Sequence, residues 1–318
     1  MNMRKALIIG INDYPTSPLK ACIPDANRIA NILAKNFDAS PNFSCRKLIS
    51  SDTTVTKSVL KDAIIELFST DNEVTLFYFS GHGSEQSKKT KSSLVTQDAN
   101  AGDMGVELEF LMEKANDSKA KHVVIILDCC FSGDAGNVAF LKNLSVLNEG
   151  VSILTSSHKT QISFESPTGG IFTDMVVEAL EEGAADTLGL VSVAGIYEFA
   201  DKLLGPWDQR PIFKANISSM VPLRKSKPKI ALETLRRLPG LFPTPDYNFP
   251  LDSSYEPEAE PKGHENESTF LELQRLHRTG LLLPVDEEHM YFAAINNKSC
   301  SLTPLGKYYW KLTKDGKI

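Results

Sequence analysis

Two nearly continuous apolar runs, VTLFYF (74–79) and HVVIIL (122–127), constrain this chain most. A strand with one wet face alternates polar and apolar residues, and these runs do not. They read as strands covered on both faces, the condition of a parallel sheet. RKALIIGIN (4–12), closed by Asn12-Asp13-Tyr14-Pro15, and VSILTSS (151–157) have the same character. Short strands are expected at 46–49 and 211–217. Between the strands, apolar residues recur at helical spacing: Ile23, Ala26, Ile29, Ala30 and Leu33 over 22–36, and Val55, Val59, Leu60, Ala63, Ile64 and Leu67 over 54–68. Further helices are expected over 170–183, where Gly183 is the stop, and over 192–203. Alternating strands and helices predict an α/β fold, a mainly parallel sheet with helices on both faces.

The formal net charge of -6 has a local origin. Residues 243–267 hold seven acids, one base and five prolines, and outside them the charges balance. That balance excludes the basic footprint of a nucleic-acid binder. The proline-rich acidic stretch predicts an extended linker over 222–267, with a surface loop anchored by Tyr247, Phe249 and Leu251 as the alternative. It separates a domain over 1–221 from a module over 268–318. In that module a helix from Ser268 to Thr279, short strands in LLLPVD, HMYFAAI and CSLT, and a closing helix in TPLGKYYWKLTKDG read as winged-helix-like α+β. Its charges nearly cancel, so it is expected to dock an activator or target protein; a helical-hairpin cap is the alternative. No apolar run approaches about 18 residues and no export signal opens the chain, so no membrane span and a cytoplasmic location are expected. Five cysteines, unevenly spaced, predict neither a disulfide framework nor a zinc site.

Two strand ends carry the chemistry. One is Phe79-Ser80-Gly81-His82-Gly83; the other is Leu127-Asp128-Cys129-Cys130-Phe131-Ser132-Gly133. The carboxyl ends of parallel strands open onto one rim, where ligands bind. An imidazole within reach of a thiol there generates the attacking thiolate. The backbone N–H groups of Gly83 and Cys130, at tight turns, are natural donors to a developing oxyanion. Each strand end alone is more often a plain turn or buried packing. Strand neighbours point to opposite faces, so only one of Cys129 and Cys130 can face the cleft. His158, after the strand 151–157, is the rival histidine.

With these motifs the chain resembles the caspase-like cysteine peptidases, in particular the metacaspase and bacterial orthocaspase branch. That branch has a Tyr-Ser-Gly-His-Gly strand end and, about 50 residues later, Asp-(Ser/Cys)-Cys-His-Ser-Gly; Phe79 and Phe131 are departures. Leu19-Lys20-Ala21-Cys22-Ile23-Pro24-Asp25-Ala26, Val95-Thr96-Gln97-Asp98 and Gly170-Ile171-Phe172-Thr173 are similar to further family elements. The likeness spans residues 4–217. It implies Cys130 as nucleophile, His82 as base and an acidic substrate pocket lined by Cys22, Asp25, Ser80 and Asp128. The implied substrate is a protein cut after Arg or Lys, in a regulated bacterial stress, cell-death or anti-phage circuit. Asp25 as a helix cap and Asp128 as a turn acceptor are the plain alternatives. The arginines with which animal caspases hold aspartate are missing from these positions. No cofactor is expected, with calcium, to which many metacaspases respond through clustered aspartates, as the alternative: where some members have an acid this chain has Asn137, and no dense Asp-x-Asp cluster occurs. Basic segments at Lys88–Lys91, Lys142 and Arg224–Lys227 are candidate self-cleavage sites or ordinary loops. A catalytically idle scaffold is the competing function; a small-ligand domain would need a phosphate-cradling glycine loop, which is missing.

Overall fold

The structure is a computed structural model describing residues 3–84, 91–129, 146–156, 165–166, 169–205, 210–257 and 266–318. The chain forms two compact units, residues 1–227 and 228–318.

In the first unit the order is β1 (Arg4–Gly10), α1 (Cys22–Ala34), β2 (Ser44–Ile49), α2 (Lys57–Ser69) and β3 (Val74–Ser80). Three short strands follow, β4 (Gly83–Ser84), β5 (Ser93–Asn100) and β6 (Asp103–Glu107), then α3 (Leu108–Asn116), β7 (His122–Asp128) and β8 (Val151–Thr155). Next come β9 (Glu165–Ser166), β10 (Gly169–Gly170), α4 (Ile171–Glu178), β11 (Leu190–Ser192), α5 (Val193–Leu203), β12 (Ile212–Asn216) and β13 (Pro222–Lys225). The main sheet has the order β12-β8-β7-β3-β1-β2. All its pairings are parallel except that of β12 with β8.

The apolar runs are buried on both faces, as continuous hydrophobicity requires. Alternate residues serve different cores. Leu7, Ile9, Phe77 and Phe79 pack with α2 and α3, while Ile8, Leu76 and Tyr78 pack with α1, α4 and α5. The chain leaves β1 for β2 on one side and returns to β3 on the other. That reversal opens the rim between the carboxyl ends of β1 and β3. β4, β5 and β6 form a separate antiparallel sheet beyond β3. The helix expected over 170–183 is α4 followed by a π turn over Ala179–Gly183, where a Cβ on Gly183 would come within 2.4 Å of the Phe199 ring.

Gly10, at the end of β1, lets α1 start against the sheet. A Cβ there would lie 2.4 Å from the Cys22 carbonyl oxygen and 2.8 Å from the Ala26 Cβ. Gly10→Ala is therefore expected to destabilise the first unit by about 1–3 kcal/mol, the usual result of overpacking. Urea unfolding followed by circular dichroism checks this, and an unchanged midpoint would contradict the close approach.

The second unit corrects the expected linker. β13 belongs to the first unit, where it pairs with β11. Residues 228–257 carry α6 (Leu232–Arg236), α7 (Leu238–Leu241), β14 (Phe249–Pro250) and a 3-10 turn at Ser253–Tyr255. They fold with α8 (Glu267–Arg278), β15 (Leu282–Val285), α9 (Met290–Ile295), β16 (Ser299–Leu302) and α10 (Pro304–Lys314). The reason is aromatic: ring contacts run from Phe242 to Phe249, Tyr255 and Phe270 at 5.8–6.5 Å. β14 adds a strand to β16, and the Trp310 indole donates to the Phe242 carbonyl at 2.6 Å. HMYFAAI is a helix rather than a strand, with Met290, Ala293 and Ala294 inward at helical spacing. The antiparallel pair β15–β16 is thus joined through α9, which departs from the helix–ribbon–helix order expected of a winged-helix-like module. No helix among the described residues is long and apolar enough to cross a membrane.

Candidate active site

Parallel register places the two motif strands side by side. Ser80 pairs with both Gly10 and Asp128. The Gly81 N–H reaches the Asp128 carbonyl at 3.4 Å. The next residues in the chain, Gly81-His82-Gly83, leave the rim toward β4. Cys130 and the rival His158 lie outside the described residues, as do Phe131, Asn137, Lys142, Lys88, Lys89 and Thr90.

His82 is held by groups that spacing did not reveal. The Tyr14 hydroxyl accepts the His82 backbone N–H at 3.0 Å and donates to the Val95 carbonyl at 3.2 Å. The Tyr14 ring tilts against the imidazole, centroids 4.7 Å apart. Burial pushes the pKa of this phenol far up, so it stays protonated and keeps its donor. Gly81 is needed here because a Cβ would lie 2.5 Å from the Tyr14 hydroxyl. The imidazole Nε2 sits 2.7 Å from the Ser17 carbonyl oxygen. A carbonyl only accepts, so this bond assigns the proton to Nε2 and leaves Nδ1 as the bare, basic nitrogen. Ser17 presents that carbonyl from a left-handed backbone, φ 60°, a strain of about 1–3 kcal/mol of the kind stored at functional sites.

Gly83 pairs with Leu94, and the neighbouring ladder bond runs from the Val95 N–H to the His82 carbonyl at 2.9 Å. In an antiparallel ladder this makes Gly83–Leu94 a non-hydrogen-bonded pair, so the Gly83 N–H is directed away from β5.

The four residues expected to line a substrate pocket do line one cavity, together with Gly170 and the start of α4. Asp25 and Asp128 are 1% and 3% exposed. Both carboxylates press on Gly170: a Cβ there would lie 3.1 Å from an oxygen of each. Asp25 Oδ2 accepts the Gly170 N–H at 3.0 Å, and Asp128 Oδ2 accepts the Thr173 hydroxyl at 2.6 Å. Asp25 Oδ1 is buried without a hydrogen bond and forms a longer ion pair, 3.6 Å, with Arg28, which also pairs with Asp174. Burial, reinforced by the Asp128 charge, pushes the Asp25 carboxyl up to about 7. Burial likewise raises the Cys22 thiol to about 12 despite its bond to Ser80, so Cys22 is a neutral wall of the cavity rather than a nucleophile. Asp25 is not an N-cap, since it lies inside α1, and Asp128 accepts a bond from Thr173 of α4. Among the described residues no cluster of His, Cys, Asp and Glu is arranged to hold a metal ion.

Residues 3–221 match the family model described as Caspase domain. The chain belongs to the caspase family. The chemistry of that family is cysteine-peptidase chemistry. Among solved structures, the caspase-family unit is similar to a Geobacter sulfurreducens protein at 18% identity, covering 71% of this chain and 97% of that one with a TM-score of 0.49. It is also similar to caspase-1 from Spodoptera frugiperda at 11% identity, covering 71% and 92% with a TM-score of 0.47. No curated protein matches the chain. Spacing does not mark Tyr14, Ser17 and Thr173 as site residues; the turn Asn12-Asp13-Tyr14-Pro15 signals Tyr14, the element Gly170–Thr173 signals Thr173, and nothing local signals Ser17.

Proposed function

We propose that this caspase-family chain is an endopeptidase that cuts protein substrates after arginine or lysine through Cys130 and His82. The observation carrying the specificity is the buried pair Asp25 and Asp128, with one Asp25 carboxylate oxygen lacking a hydrogen bond. Two carboxylates in low dielectric repel each other, and a cationic side chain between them relieves both that repulsion and the desolvation. A guanidinium suits such acceptors through bidentate bonding.

Cys130 is two residues beyond Asp128 in the chain, as His82 is two beyond Ser80, and Ser80 and Asp128 are register partners. The reaction then runs in two halves. His82 Nδ1 takes the Cys130 thiol proton, and the thiolate attacks the scissile carbonyl carbon. The Gly83 and Cys130 N–H groups receive the oxyanion. The imidazolium gives its proton to the departing amine, leaving a thioester. Water, deprotonated by His82, hydrolyses that thioester and regenerates the thiol. None of these steps uses a metal or other cofactor. The second unit is assigned to docking an activator or target protein, and the regulated stress, cell-death or anti-phage setting follows the resembled branch.

The test is a peptide panel differing only in the residue before the cut. Arg and Lys peptides are expected to be hydrolysed and the Asp peptide left intact. Asp cleavage, or equal rates across the panel, would overturn the acidic-pocket reading.

A further inference from the structure

The acidic cavity lies on the Gly81 side of His82. The other side opens onto a second cavity of about 450 Å³, lined by Tyr14, Ser17, Gly83, Val95, Ala99 and Met104 among others. The two cavities share no lining residue; Gly81 borders the first, and His82 with Gly83 borders the second. Among the described residues, no Asp, Glu, Lys or Arg lines the second cavity. Three of its polar side chains, Gln97, Thr96 and Tyr14, are engaged with the protein itself. The Gln97 amide oxygen accepts the Val55 N–H at 2.6 Å, and its nitrogen donates to the Asp13 carbonyl at 2.7 Å. The Thr96 hydroxyl donates to Asp98 at 2.6 Å, and Tyr14 bridges His82 and Val95 as described. The surface left for a ligand is uncharged: the Met104 thioether, the Ala99 methyl and the face of Tyr14, beside the hydroxyls of Thr16 and Ser17. A volume of this size lies within the range of about 300–1,000 Å³ typical of ligand pockets.

A peptide crossing the rim is divided by His82. The half kept in the thioester places its last side chain in the acidic cavity. The half that receives the proton from His82 must pass the imidazole. We infer that the second cavity receives the first residues on the leaving side of the cut bond and selects a bulky uncharged side chain there. The inference rests on the peptidase reading above and adds a second specificity element to the same site.

The test uses the full chain and internally quenched peptides that share one Arg-ending half. After the cut bond they carry Gly, Asp, Leu or Phe, and an Arg coumarin amide serves as the truncated reference. Burying a Leu or Phe side chain is expected to raise kcat/KM at least about tenfold over Gly. Asp, with no cation to meet it, is expected to be slowest. Ala99→Trp, which narrows the cavity, is expected to bring the Phe-to-Gly ratio back within about threefold, less than half a decade. Wild-type rates within about threefold for all four peptides, a free-energy spread under one decade, would overturn the inference while leaving the peptidase reading intact. Failure to cleave any of them, the coumarin amide included, would overturn the peptidase reading and this inference with it. The wild-type series decides even where Ala99→Trp does not fold.

Discussion

Cys130→Ala is expected to leave the hydrolysis of an Arg peptide at the uncatalysed background, and His82→Ala to lower kcat/KM by about 10²–10⁴, the usual contribution of a positioned acid–base group. The argument for His82 is geometric. Its Nε2 is bound to the Ser17 carbonyl and its backbone N–H to the Tyr14 hydroxyl, so the ring arrives at the rim in one tautomer and one orientation. A free imidazole would divide its population between two tautomers, and only the one with a bare Nδ1 can take a proton there. Residues acting as a unit are non-additive, so the double variant is expected to be no slower than Cys130→Ala alone. Wild type and Cys130→Ala both at the uncatalysed background, with partner binding retained, would instead identify a caspase-like scaffold without catalysis.

Asp25→Asn and Asp128→Asn are each expected to lower kcat/KM for Arg and Lys peptides at least about 30-fold. Truncating one partner of a buried charge pair typically costs about 2–5 kcal/mol, and each decade is about 1.4 kcal/mol. Asparagine keeps an acceptor oxygen for the Gly170 N–H or the Thr173 hydroxyl, so the variants report on charge rather than on lost structure. Their stability is expected to hold, because each removes half of a buried like-charged pair.

Asp25 also sets a pH dependence. With its carboxyl at about 7, burial being the main cause and Asp128 the second, the free pocket is half protonated near neutrality. Cation binding needs the ionised form, so kcat/KM for an Arg peptide is expected to rise with pH through about 7. Asp25→Asn should remove that limb, and a limb surviving in the variant belongs to another group. Stability moves the opposite way. A carboxyl whose folded pKa lies above its unfolded value stabilises the fold when protonated. That contribution is complete below the ordinary carboxylate range and is lost as pH rises through about 7. Urea midpoints of wild type and Asp25→Asn between about pH 5 and 8 measure it. A wild-type midpoint that does not fall relative to the variant would contradict the raised carboxyl.

The site was partly legible because strand-end motifs sit in the same chain positions as the atoms they present. His82, Gly83, Ser80 and Asp128 follow directly from their strands, and parallel pairing aligns them. Tyr14 and Ser17 were not legible because they act through a loop whose path depends on α1 closing against Gly10. The second unit misled for a related reason. Its prolines and acids read as solvated chain, yet Phe242, Phe249 and Tyr255 are spaced too irregularly to register as a helix or strand. Half-buried Phe249 and Tyr255 link the buried Phe242 to Phe270 of a later helix.

By itself the sequence determined the buried parallel sheet, since uninterrupted apolar strands have no stable arrangement except between two helical layers. It also determined which residues stand at the strand ends. Only the tertiary structure decided that two carboxylates from separate elements meet at one glycine with an oxygen left without a hydrogen bond, and that a carbonyl from a strained loop selects the histidine tautomer. Both are contacts between segments far apart in the chain, and local pattern carries no information about how such segments approach.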